Sequence, residues 1–121
     1  MESVKPLSKP KQVAGQSIDP QMLMVSLAEE YFEAAHSLAS LVARNMRATS
    51  LEEYQGLIAT GLGCLESVLK KTRLAPKLEA RIRLRYAGVL FDETDNYMEA
   101  ETALSRGILL CEQVFFQNSH P

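Results

Sequence analysis

Apolar residues recur at three- and four-residue intervals through four stretches of this chain. The breaks between them are short and polar, so the pattern predicts four α-helices and an all-α fold. The first opens at Asp19-Pro20, where a carboxylate accepts from early backbone N–H groups and proline at the first helical position forfeits no hydrogen bond; it runs to about Arg47. The second opens at Ser50, which forms a capping box with Glu53, and runs to about Thr72. Pro76 lies at or near the first turn of the third, which spans about Lys77 to Glu93. Residues 94–96 form a turn, and Asn96 with Glu99 can cap the fourth helix, from Tyr97 to about Phe116.

The first helix is apolar around more of its circumference than one packed side requires. Its polar positions, Ser26, Glu30, Glu33, Ser37, Ser40 and Arg44, step by three and four into one narrow stripe, and almost everything else is apolar or small. A helix covered on one side shows an apolar arc of a little over roughly 100°. This helix is therefore expected to be covered on several sides, either at the centre of a tight four-helix bundle or by another chain lying against it. In the second helix, Gly56, Gly61 and Gly63 would each cost about 1 kcal/mol relative to Ala in a helix interior. Close helix crossing is the expected compensation.

Residues 81–110 carry the densest pattern. Leu84, Ala87, Gly88 and Phe91 share one face of the third helix, and Tyr97, Ala100, Leu104 and Gly107 share one face of the fourth. Small residues fall where two helices must approach and large ones to either side, which is the spacing of a tetratricopeptide repeat, a helical hairpin of about 34 residues. Ala87 stands where Leu is usual, and Asp95 occupies a turn position that more often holds Gly. The first two helices read as an irregular, longer copy of the same unit. Such a unit cannot bury its own apolar face and needs neighbours. The apolar run Ile108, Leu109, Leu110, Val114, Phe115 and Phe116 has no later element to pack on, so the chain is expected to be the front end of a longer array. The expected organisation is a flexible arm over residues 1–18, a helical-repeat domain over 19–116 and a frayed tail over 117–121.

Length and charge narrow the picture. With 121 residues, 46% of them hydrophobic, the chain has room for one small domain. The net charge of -2 excludes a generally basic protein, yet seven of the 13 Lys and Arg residues fall within positions 70–85: Lys70, Lys71, Arg73, Lys77, Arg81, Arg83 and Arg85. That cluster is either a docking patch for an acidic segment or phosphate, and so a candidate nucleic-acid surface, or a solvated turn and helix face. Cys64 and Cys111 lie far apart in apolar helical patterns with no ligand-spaced neighbours, and buried reduced thiols are the expectation. His36 has no second ligand or base beside it. The acids Asp92, Glu93 and Asp95 bracket a turn and read as a solvated helix end. No set of nucleophile, base and orienting group occurs together and no metal-ligand set is present, so no enzyme, cofactor or metal is expected. The Gly-Leu-Gly at residues 61–63 neither follows a strand nor precedes a suitably placed lysine, and so is no phosphate loop.

The stretch over residues 79–91, with Glu79, Ala80, Arg81, Leu84, Gly88 and Phe91, and the Leu-Ala-Glu-Glu-Tyr-Phe segment at residues 27–32 resemble the N-terminal region of the tetratricopeptide-repeat subunit of the cohesin loader. The resemblance covers about residues 22–113. It implies a scaffold whose superhelix wraps the extended N-terminal segment of the large HEAT-repeat loader subunit, the Nipped-B-like protein, and so bears indirectly on cohesin and chromatin in the nucleus. Carried onto this chain, the resemblance assigns partner contacts to Ile82, Arg85, Val89, Asp92 and Glu93 on the third helix and to Tyr31, Phe32 and Ala35 on the first. Arg81 and Arg85 are expected to meet carboxylates or carbonyls of the partner.

Overall fold

In a computed structural model, which describes residues 19–45, 48–71 and 73–119, the chain forms α1 (Pro20–Asn45), α2 (Ala48–Lys71), α3 (Pro76–Glu93) and α4 (Tyr97–Ser119), with no strand among the described residues. Asp19 starts α1 as its position predicts: Oδ1 accepts from the Gln21 backbone N–H at 3.0 Å. Pro76 sits in the first turn of α3 behind an extended Ala75.

Two expected boundaries move. Ser50 lies inside α2, which already begins at Ala48, so it does not start that helix; its side chain is outside the described residues. The α4 helix continues through residues 117–119, part of the expected tail, because nothing before Ser119 breaks it. The expected box between Asn96 and Glu99 is not the contact formed. Thr94 Oγ1 instead donates to the Leu90 carbonyl at 2.6 Å and accepts from the Asn96 N–H at 3.0 Å, while Glu99 accepts the Tyr86 hydroxyl at 2.7 Å. The turn is thus closed by threonine, and the glutamate is engaged elsewhere. The arm over residues 1–18 lies outside the described residues.

Packing runs α1 on α2, α2 on α3 and α3 on α4, a pair of antiparallel hairpins stacked through one interface. Arg85 of α3 meets Glu29 of α1, and Glu93 of α3 meets His36, so α1 and α3 run parallel along one side. On the other side α2 and α4 converge on Tyr86, through Glu66 and Glu99. The core between the hairpins holds Phe32 and Ala35 of α1, Ile58 and Leu65 of α2, Ile82, Val89 and Leu90 of α3, and Ala100 and Ala103 of α4.

Glycines set the closest approaches, but not all of them do. A Cβ on Gly61 would stand 2.4 Å from Cε1 of Phe32, and one on Gly107 would stand 2.7 Å from Cδ2 of Leu84. Each hairpin therefore seats one large side chain of its first helix against one glycine of its second. Gly56 and Gly63 have nothing within 4 Å of a Cβ, so close crossing compensates only one of the three glycines in α2. Nothing in the fold explains the other two.

Candidate protein-interaction site

The seam between α1 and α3 is built around Arg85. Its Nε and Nη2 donate to the two carboxylate oxygens of Glu29 at 2.8 and 2.9 Å, and its guanidinium carbon lies 5.2 Å from the centre of the Phe32 ring. The bond to Glu29 raises the Arg85 pKa further, against the opposing effect of burial. The second cross-link is Glu93. One of its oxygens accepts the Tyr54 hydroxyl from α2, and the other lies 3.4 Å from His36 Nε2 on α1. Burial first, and the neighbouring Glu93 second, push the Tyr54 hydroxyl up to about 12.

Between these cross-links lies a cavity of about 80 Å³ lined by Phe32, His36, Ile58, Arg85, Val89, Asp92 and Glu93. A second cavity, of about 390 Å³, also has Ile58 and Glu93 in its lining and adds Tyr54, Gln55, Ala59, Leu62, Thr94, Asp95 and Asn96. Ile58 and Glu93 are the wall that the two cavities share, one at the seam and the other beside the turn between α3 and α4.

The candidate contact residues divide sharply on burial. Phe32, Ala35, Ile82 and Val89 are within 5% of full burial, packed between the hairpins, and their side chains are not at the surface. Tyr31 and Glu93 are half-buried, while Arg85 and Asp92 are exposed. Arg85 already has its carboxylate, supplied by Glu29 of the same chain. The α3 stripe assigned by the resemblance borders this seam, with Ile82 and Val89 in the core, and Glu29, His36 and Tyr54, which the sequence did not single out as contacts, meet Arg85 and Glu93 there. The parallel register of α1 against α3 brings Glu29 and His36 there, and the packing of α2 on α3 brings Tyr54.

A different face of α3 is open. Leu84, Gly88 and Phe91 are offset by two residues from Ile82, Tyr86 and Val89, or about 200° around a helix, and so face away from the first hairpin. With Ala87 and with Tyr97, Ala100, Glu101 and Leu104 of α4 they line an apolar groove of about 510 Å³. Phe91 and Tyr97 meet edge to face across its end, with ring centres 5.5 Å apart. On α1, Met22, Leu23 and Leu27 are exposed as well, so its own hairpin does not shield that helix.

The basic cluster does not form one track. Arg83 is held by Glu79 at 2.7 Å, Lys70 lies 3.6 Å from Glu66, and Arg85 turns to the opposite side of α3 toward Glu29. Arg73, Lys77 and Arg81 are exposed, and the Lys71 side chain is outside the described residues. Three of the seven cations are thus paired with acids of the chain itself. Cys64 is half-buried, but Cys111 is exposed, contrary to the expected burial, because its stripe of α4 has no helix against it. Among the described residues no group of His, Cys, Asp and Glu could hold a metal ion, and no helix is long and apolar enough to cross a membrane.

A model of the cohesin loading factor family matches residues 21–118, which takes in all four helices but the ends of the first and the last. No match was found among curated proteins or among solved structures.

Proposed function

The chain belongs to the cohesin loading factor family and so to cohesin loading, and from that premise we propose that it is a protein-interaction scaffold of the loader complex. It holds an extended segment of the large HEAT-repeat loader subunit, the Nipped-B-like protein. Through that subunit it acts on cohesin and chromatin in the nucleus.

One observation carries this reading: two stacked hairpins leave apolar surface at both ends of the stack. Met22, Leu23 and Leu27 are exposed at one end, and the groove of Leu84, Gly88, Phe91 and Leu104 is open at the other. Contiguous apolar patches of this kind mark interaction surfaces. Stacked-hairpin proteins bury such faces against neighbours, and the partner segment is the neighbour in this reading. The exposed polar side chains at the seam, Arg85 and Asp92, are then left to face the bound segment.

Co-expression with the N-terminal segment of the large loader subunit, followed by limited proteolysis, tests the proposal. The two polypeptides should co-purify, and cleavage within α1 and α4 should slow. Equal protease resistance with and without that segment would sink it. Salt-sensitive binding to DNA that Arg81→Glu and Lys77→Glu abolish would favour a nucleic-acid surface instead.

A further inference from the structure

The second hairpin has an uncovered face whose counterpart in the first is covered. Each hairpin seats one large side chain over one glycine, Phe32 over Gly61 and Leu84 over Gly107. The register that carries Phe32 onto Leu84 also carries Ala28 onto Ala80 and Ala35 onto Ala87, all four alanines buried, and the one that carries Gly61 onto Gly107 carries Ile58 onto Leu104. In the first hairpin α3 lies over this face, so Phe32 and Ile58 are only 1% and 3% exposed. In the second, Leu84 is half-buried and Leu104 is 45% exposed, and both line the groove of about 510 Å³ together with exposed Phe91 and Tyr97. The shape that fits the first face is a helix, and the second repeats that face.

Charge defines the helix further. Where α3 crosses the first hairpin, Arg85 pairs with Glu29 and lies over the Phe32 ring. On the second hairpin the place of Glu29 belongs to Arg81, which is exposed and has no ion pair among the described residues. The sign is thus reversed, and a helix lying there needs a carboxylate where α3 has Arg85. A second copy of the chain stacked in the same register would place Glu33 against Arg81, but would also bring Glu30 and Ser37, where α3 has Ile82 and Val89, against an apolar face.

We infer that the groove between α3 and α4 seats an amphipathic helix of the partner polypeptide, laid as α3 lies on the first hairpin, with apolar side chains in the places of Ile82 and Val89 and a carboxylate in that of Arg85, facing Arg81. The inference rests on the scaffold reading and names the conformation and charge of the part of the partner held there. It passes to Arg81 the partner carboxylate expected of Arg85, which has Glu29 in cis.

The test uses the full chain and synthetic peptides that copy α3, residues 76–93, followed by fluorescence anisotropy. The Arg85→Glu peptide should bind roughly tenfold more tightly than the unaltered one, which brings like charge to Arg81. Arg81→Glu in the chain should invert that order, and Leu104→Asp should weaken both by about tenfold with an unchanged circular dichroism spectrum. A Tyr86→Pro form of the glutamate peptide cannot continue a helix and should lose binding. Equal affinity for the two charge forms, indifference to Leu104→Asp, or full affinity of the proline form would overturn the inference. So would sedimentation of the full chain alone as a dimer that Leu104→Asp dissociates, since a second copy would then fill the groove. If the large-subunit segment co-purifies equally with the double variant Arg81→Glu/Leu104→Asp, the scaffold reading stands and the inference falls. If the peptides behave as expected and that segment does not co-purify with the parent chain, the scaffold reading falls and the groove's preference stands.

Discussion

The two hairpins use the same device and end with different results. In the first, Phe32 packs into the space over Gly61 and is almost wholly buried; in the second, Leu84 packs into the space over Gly107 and stays half-exposed. The difference lies in what comes next along the stack. Arg85 and Val89 of the second hairpin close over Phe32, whereas Leu84 borders an apolar groove of about 510 Å³. A hairpin of this kind completes its neighbour's core and leaves its own to be completed.

Truncation of the buried knob should have the largest effect. Phe32→Ala removes a fully packed ring and should cost about 3–5 kcal/mol in urea unfolding. A loss under about 1 kcal/mol would mean that the first hairpin is no better closed than the second. Next comes the glycine beneath it: Gly61→Ala drives a methyl into a ring that is almost wholly buried, and should cost about 1–3 kcal/mol. The matching change, Gly107→Ala, meets Leu84, which can swing into the open groove, so its cost should be smaller, about 1 kcal/mol or less. Equal losses for the two glycines would break the comparison outright.

Gly88 sharpens it from the open side. Nothing stands within 4 Å of a Cβ there, so Gly88→Ala should raise thermal stability, by up to about 1 kcal/mol, through helix propensity alone. Destabilisation would show that the groove is occupied in solution.

The smallest effect concerns the link between the hairpins. Tyr54 is held neutral in the fold, with its pKa pushed up from the ordinary 10.0 to about 12 by burial and by Glu93. Its contribution is complete below pH 10 and is lost as pH rises through about 12. Tyr54→Phe should therefore flatten part of the decline in stability over that window, as followed by alkaline unfolding monitored by circular dichroism.

Period and end signals made the helices legible. Asp19, Pro76 and the three- and four-residue spacing act within a turn or two of backbone, so a one-dimensional reading captures them. Ser50 misled because a capping pair scores the same inside a helix as at its start. The periodic stripes of α3 were legible as stripes, but their directions were not. Positions 82 and 89 and positions 84 and 91 have the same periodicity, and only the neighbours decide which face is core and which is open.

The sequence alone determined four helices, their pairing into hairpins by short connections, and the small residues that let partners approach, because each depends on contacts between near neighbours in the chain. Tertiary structure decided that Gly61 is filled while Gly63 is not, that Glu29 claims Arg85, and that Glu93 draws in His36 and Tyr54. Those pairs are 39 to 57 residues apart, and their meeting depends on how α1 and α2 lie against α3. A register between helices that never touch in sequence is settled by how two apolar surfaces interlock, and no local pattern encodes that.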